Sequence, residues 1–287
     1  MLLPSYPPTG YPDEGWPLPG GVELRENILV ARLDDGALHA DLLLPAEAGP
    51  EPPVVVWLHG GGWRWGDRRT AFERLFRFVE RGWVGVTLDY RSTDAAVFPA
   101  QLRDLQAGLE WLFGPDCGIS LDPTRVLLFG GSAGAHLGLL AVLAASDPQL
   151  GHGVGTRVAG MIAAFPPTEL LTLDVFDEGI ESQLEHSSAD SCEGRLLGGA
   201  PGERAELARL ASPLHHVHPE VPPLLLLHGL DDAIVPVGQS RALHAALQER
   251  GVHVQLRTYD GGHSAQGWPS GWLEDAVNWA EGVVQRR

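Results

Sequence analysis

Four short, largely apolar runs constrain the fold of this chain more than any other feature: Val54–Leu58, Trp83–Leu88, Val126–Phe129 and Leu224–Leu227. None alternates apolar with polar residues, so each suits a strand buried on both faces, as in a parallel sheet sandwiched by helices. Val158–Phe165 is a fifth run of this kind, and Val252–Tyr259 reads as a last strand. Between them lie stretches with helical spacing. These are Phe72–Arg81, Pro99–Phe113 (Leu102, Leu105, Leu109 and Leu112 on one face), Val237–Arg250 and Gly271–Val284. Strands alternating with helices predict an α/β fold, a mostly parallel twisted sheet with helices on both faces. Two β-like segments near the start, Val22–Leu33 and Leu38–Leu44, meet at Asp35-Gly36 and predict an antiparallel edge hairpin.

Residues 1–21 are rich in Pro and Gly and read as an irregular arm. Residues 22–287 read as one domain, long enough for a well-buried core. From about 166 to 213 the pattern loosens into an acidic, Ser- and Gly-containing stretch. It predicts an insertion over the active-site end of the sheet, a candidate lid. A net charge of −17 argues against a nucleic-acid partner, which needs concentrated positive surface. No run approaches the ~20 apolar residues of a membrane-spanning helix, so no membrane anchor is expected. The N-terminus lacks a basic segment ahead of an apolar one, which places the expected site of action in the cytoplasm. Two cysteines, Cys117 and Cys192, are too few for a disulfide framework and read as unpaired thiols.

The run Val126–Phe129 enters Gly130-Gly131-Ser132-Ala133-Gly134, and a helix follows from about Ala133. A strand that turns this sharply into a helix lifts the central serine hydroxyl above the sheet edge, the geometry of a nucleophile elbow. A serine hydroxyl needs a base to take its proton, and a carboxylate to fix the tautomer of that base. His263, in Tyr259-Asp260-Gly261-Gly262-His263-Ser264, is presented by a Gly-Gly turn after the last strand. Asp231 and Asp232 follow the Leu224–Leu227 strand, and local spacing alone leaves the choice between them open. His59-Gly60-Gly61-Gly62-Trp63 offers side-chain-free amides at the end of another strand. With the Ala133 amide, those of Gly61 and Gly62 could hold the negative charge that develops on a carbonyl oxygen. His59 reads as an anchor of that loop. Trp63 and Trp65 are candidate pocket residues, or packing beneath the loop. Asp89 and Arg91 read as an ion pair with each other, and Asp104 as a helix-face contact. His215-His216-Val217-His218 has no carboxylate or Cys at ligand spacing, so no metal is expected.

With these residues in place the chain resembles the α/β-hydrolase superfamily, in the esterase branch related to hormone-sensitive lipase. His59-Gly60-Gly61-Gly62-Trp63-Arg64-Trp65-Gly66-Asp67 is most similar to feruloyl-esterase-like carboxylesterases and kynurenine formamidases. Asp89-Tyr90-Arg91, Phe98-Pro99-Ala100 and Gly130-Gly131-Ser132-Ala133-Gly134 fit the same group. The resemblance covers about residues 22–284. It implies the chain order Ser132, Asp, His263. The string His228-Gly229-Leu230-Asp231-Asp232-Ala233-Ile234-Val235-Pro236 resembles the superfamily's H-G-x-x-D-x-x-V-P pattern, which puts the acid at Asp232. It implies two-step acyl transfer on small to medium esters, without a cofactor. Arylformamidase and prolyl-oligopeptidase-like peptidase activity are the alternatives. The formamidases carry a bulkier residue where Gly62 stands, which tilts the expectation toward esters. A non-catalytic binding module would be expected to have lost the Ser, the His or the loop glycines, and all are present. The sequence leaves the oligomeric state open, a homodimer included.

Overall fold

A computed structural model of the chain describes residues 18–34, 36–176 and 179–286. Most of the expected N-terminal arm and the hairpin residue Asp35 lie outside the described residues. Among the described residues eight strands form one sheet in the order β1-β2-β4-β3-β5-β6-β7-β8. They are β1 (Glu23–Leu33), β2 (Gly36–Leu44), β3 (Val54–Leu58), β4 (Val84–Leu88), β5 (Val126–Gly131), β6 (Gly160–Ala164), β7 (Leu224–Gly229) and β8 (Val254–Tyr259). β2 runs antiparallel to β1 and to β4, and every later pairing is parallel. This is the mostly parallel sheet with an antiparallel N-terminal edge that the sequence predicts.

The unbroken apolar runs divide residue by residue between two cores, because successive strand side chains point to opposite faces. Val54, Val56 and Leu58 enter one core, with Leu128, Ala163 and Leu226. Val55 and Trp57 enter the other, with Leu127, Phe129, Ile162 and Leu227. The first core is covered by α2 (Ala100–Phe113), α3 (Ala133–Leu143) and α6 (Gly238–Glu249). The second is covered by α1 (Phe76–Val79) and α7 (Trp272–Val284). Between β6 and β7 the chain adds α4 (Cys192–Leu197) and α5 (Ala205–Leu210).

The stretch expected to be a helix over Phe72–Arg81 is a 3₁₀ turn at Phe72–Leu75 followed by the single turn α1. Phe72, Leu75 and Phe78 are all buried. Their three-residue spacing fits the 3₁₀ period, and no side chain caps the segment's start. Asp89 and Arg91 do not pair with each other as expected. Asp89 accepts from Arg68 at 3.1 Å, and Arg91 forks onto the buried Asp104 at 2.8 Å.

Asp41 on β2 is fully buried and anchors the loop that follows β3. It accepts from the Asn27 amide at 2.7 Å and from Arg69 at 2.6 Å, and it forms an ion pair with Arg68 at 3.0 Å. Burial alone would raise its pKa, but these donors outweigh burial and hold it below the ordinary value of 3.8. A depressed native pKa stabilises the fold above the unfolded-state value, and that contribution fades as pH falls through the native one. Asp41→Asn should therefore cost about 3 kcal/mol at pH 7, by removing the buried anion that Arg68 and Arg69 share, although Asp89 and Glu26 still pair with them. In urea unfolding the gap to wild type should narrow steadily below about pH 4. A gap that stays constant to pH 2 would show that the charge contributes nothing.

Candidate active site

β5 ends at Gly131 and α3 begins at Ala133, so Ser132 alone makes the turn. Its backbone sits at φ 53°, ψ −119°, a region that costs a non-glycine residue about 1–3 kcal/mol. The surroundings hold it there: Ser132 N–H donates to Ala164 O at 2.9 Å, and His136 N–H donates to Ser132 O at 3.0 Å. The flanking glycines are required by close approach. A Cβ at Gly134 would lie 2.1 Å from Leu58 O, and one at Gly130 would lie 2.6 Å from the Ala135 nitrogen.

The Ser132 hydroxyl lies 3.1 Å from His263 Nε2, and His263 Nδ1 lies 2.7 Å from Asp232 Oδ2. His263 heads a 3₁₀ turn just after β8, with the Phe165 ring 4.5 Å away between centroids. Asp232 follows β7 and is fully buried. Its Oδ1 accepts the Ile234 and Val235 amides, each at 2.9 Å. Burial pushes its pKa up, but His263 and the hydrogen bonds from His228 and His263 outweigh that and hold it below the ordinary carboxylate value. An anion at Nδ1 fixes the proton there and turns the Nε2 lone pair toward Ser132. Asp231 does a different job. Its Oδ2 accepts the Gly261 amide at 3.1 Å, and its own amide donates to Gly261 O at 2.9 Å. It clamps the loop that carries His263, while Asp232 meets the ring. The geometry thus separates the two candidates.

Sequence reasoning missed His228 as a member of this cluster. It is fully buried, with Nε2 2.9 Å from Val235 O and 3.4 Å from Asp232 Oδ2. Two acceptors at Nε2 require the proton there, which leaves Nδ1 to accept from Ser240 Oγ at 2.7 Å. The available signal was its place at the head of the His228-Gly229 string.

After β3 the chain turns through Gly61 (φ 114°), Gly62 (φ 58°) and Trp63 (φ 57°). A Cβ at Gly60 would lie 3.3 Å from Ser132 Cβ, so this loop runs beside the serine. Among the described residues the amides of Gly61, Gly62 and Ala133 donate to no other group. His59 anchors the loop as expected. Its ring stacks on Tyr90 at 4.2 Å, Nδ1 donates to Gly60 O at 2.8 Å, and burial lowers its pKa. The two tryptophans part company. Trp63 is buried beneath the loop, whereas Trp65 is half-exposed under Arg64.

The segment between β6 and β7 touches both loops. A Cβ at Gly62 would lie 2.6 Å from Cys192 Sγ, and Phe98 N–H donates to Leu196 O at 2.8 Å. On the other side Gln183 N–H donates to Ala233 O at 2.7 Å. Burial pushes the Cys192 thiol up to about 12, so it stays protonated. His215 pairs with Glu169, and His216 Nε2 donates to Leu210 O at 2.8 Å. Among the described residues no group of three His, Cys, Asp or Glu could hold a metal ion, and no helix is long and apolar enough to cross a membrane.

Comparison with known proteins bears on this arrangement. The family model BD-FAE matches residues 40–247. The esterase LipQ of Mycobacterium tuberculosis is 33% identical over 71% of this chain and 48% of its own length. The isoprenylcysteine alpha-carbonyl methylesterase ICME of Arabidopsis thaliana is 27% identical over 77% of this chain and 52% of its own length. The chain thus spans about half the length of the curated relatives it matches. Among solved structures, a truncated carbohydrate esterase from gut microbiota superposes with a TM-score of 0.79 at 21% identity, covering 92% of this chain and 96% of that one. Esterase 2 of Thermogutta terrifontis gives 0.69 at 22% identity, covering 93% and 92%. These two likenesses show the shared fold.

The elbow yields a stability test. Gly134→Ala should lose at least about 3 kcal/mol in urea unfolding, since the new methyl meets only backbone. Gly131→Ala, whose Cβ would find its nearest neighbours at 3.4 Å, should lie within about 1 kcal/mol of wild type. Equal losses at the two positions would refute the close-approach account.

Proposed function

The chain belongs to the BD-FAE family, and from that footing we propose that it is a serine carboxylic-ester hydrolase working by two-step acyl transfer. The observation that carries this reading is the 3.1 Å and 2.7 Å relay from Ser132 through His263 to Asp232, beside three amides that donate to no group among the described residues. In the first step Ser132 Oγ attacks the ester carbonyl carbon while its proton passes to His263 Nε2. The buried Asp232 carboxylate stabilises the imidazolium that forms. The carbonyl oxygen, now an alkoxide, lies against the Gly61, Gly62 and Ala133 amides. Collapse of this intermediate breaks the C–O bond, and His263 gives its proton to the departing alcohol. A water, deprotonated by His263, then attacks the acyl-serine and releases the acid. No cofactor enters this cycle.

Residues 22–287 are taken as the catalytic unit, with the 166–213 segment bounding the entrance as a lid. Its contacts at Gly62 and Ala233 support that role. Trp65, half-exposed beside Gly62, is the pocket residue this reading keeps, and Trp63 becomes a support. The free thiols of Cys117 and Cys192 support a reducing, cytoplasmic setting. Substrates are placed among small to medium esters, in keeping with relatives named as esterases.

Hydrolysis of a p-nitrophenyl series from acetate to palmitate tests the reading, with N-formylkynurenine alongside. Short esters should turn over, and Ser132→Ala should lower kcat by about 10⁶. Asp232→Asn should lower kcat by about 10⁴, because an amide favours the wrong His263 tautomer. Asp231→Asn, which can still accept from Gly261, should cost no more than ~10-fold. Turnover of the formamide alone would transfer the assignment to an arylformamidase. No Ser132-dependent turnover of either substrate would refute the hydrolase.

A further inference from the structure

We propose that His136, one turn into α3, is a positioning residue that fixes the oxyanion loop relative to the nucleophile through the Trp63 indole. The inference rests on Gly61, Gly62 and Ala133 being the oxyanion donors, as argued above.

Trp63 Nε1 lies 3.1 Å from His136 Nδ1. An indole nitrogen can only donate, so Nδ1 must be the unprotonated nitrogen and Nε2 must carry the hydrogen. That hydrogen has an acceptor, Ala211 O at 2.6 Å. The imidazole is fully buried, and burial pushes its pKa down to about 4, so this neutral tautomer persists through the ordinary working range. Both ring nitrogens are satisfied and neither is free for chemistry. The two rings cross edge to face, with centroids 4.9 Å apart and planes at 79°.

The position of this bond in the chain gives it a role. Trp63 directly follows Gly62 and, like it, has positive φ, a conformation that costs a bulky residue energy and needs outside support. That support comes from the indole bond to His136 and from Trp63 O, which accepts the Thr93 amide at 2.9 Å. The His136 backbone amide meanwhile donates to Ser132 O at 3.0 Å. One residue therefore grips the serine's carbonyl with its main chain and the far end of the glycine loop with its side chain. The Ala133 amide belongs to the elbow and the Gly61 and Gly62 amides to the loop, and His136 sets the distance between them. Through Ala211 it also ties in the end of the segment between β6 and β7. A group that positions donors for the intermediate acts on kcat and leaves ground-state binding nearly unchanged.

Two substitutions separate this role from plain core packing. His136→Asn places an amide oxygen near the site of Nδ1 and can still accept from Trp63. His136→Gln places its amide near the site of Nε2, keeps the bond to Ala211 O and loses the one to Trp63. With p-nitrophenyl acetate, His136→Gln should lower kcat by at least about 10-fold with KM changed less than ~2-fold, a fraction of the 10²–10³ that loss of a whole donor costs. Its affinity for a trifluoromethyl ketone analogue should weaken by the same factor as kcat/KM. His136→Asn should recover most of that loss, to within ~3-fold of wild type. If His136→Gln does not fold, Trp63→Phe removes the same bond from the other end and should show the same fall in kcat at constant KM. Equal kcat in the Gln and Asn variants, or an effect confined to KM, would overturn the positioning role while leaving the hydrolase intact. A wild type that neither turns over esters nor is labelled at Ser132 by a fluorophosphonate would remove both.

Discussion

The site depends first on a carboxylate that has lost its water. Asp232 is fully buried, and an unpaired charge in that position would cost several kcal/mol or be discharged by protonation. Two backbone amides on Oδ1, with His263 and His228 at Oδ2, take the place of solvent. Because these donors are fixed by the loop after β7, the anion cannot relax away from His263. The same contacts that make burial of the charge tolerable orient the His263 ring. His228 belongs to this set through Ser240 and Val235, which hold its proton on the side facing the carboxylate.

Strain at the serine is offset in the same manner. The unfavourable backbone of Ser132 is bracketed by hydrogen bonds to β6 and α3, and by glycines that let β3 and α3 approach closer than any side chain allows. The two cores hold these elements in register. Each strand contributes alternate residues above and below the sheet, so the loops leaving its C-terminal edge are fixed from both faces.

The sheet was legible in the sequence because buried parallel strands leave unbroken apolar runs, and all eight strands lie where those runs and the hairpin pattern place them. Ser132 and His263 were legible because each sits in a short motif just past a strand. Asp232 was set apart from Asp231 only by the resemblance of its string to the H-G-x-x-D-x-x-V-P pattern, since neighbouring residues with the same side chain differ only in which way the loop turns them. Asp89 and Arg91 misled for a related reason: proximity in sequence suggested a pair, whereas the fold supplied Arg68 and Asp104. The 3₁₀ turn at Phe72–Leu75 escaped because an apolar spacing of three also occurs on an α-helical face. The His136 partner Trp63 lies 73 residues away and only the tertiary fold brings it near, whereas the His228 partners lie 4 to 12 residues on and depend on how the loop after β7 folds back.

The pairing of β3 with β5 places Leu58 opposite Gly130, and that of β5 with β6 places Gly131 opposite Ala164. The glycine loop and the elbow therefore leave the sheet side by side, at a level counted in whole residues. A strand can slide against its neighbour only by such whole steps, each about 3.3 Å, and an odd step turns its inward side chains outward. Small errors of alignment between these strands are thus not available to the molecule. Along this direction the machinery is either assembled or absent. A stressed population should lose output by having fewer competent molecules, with each survivor working at full speed.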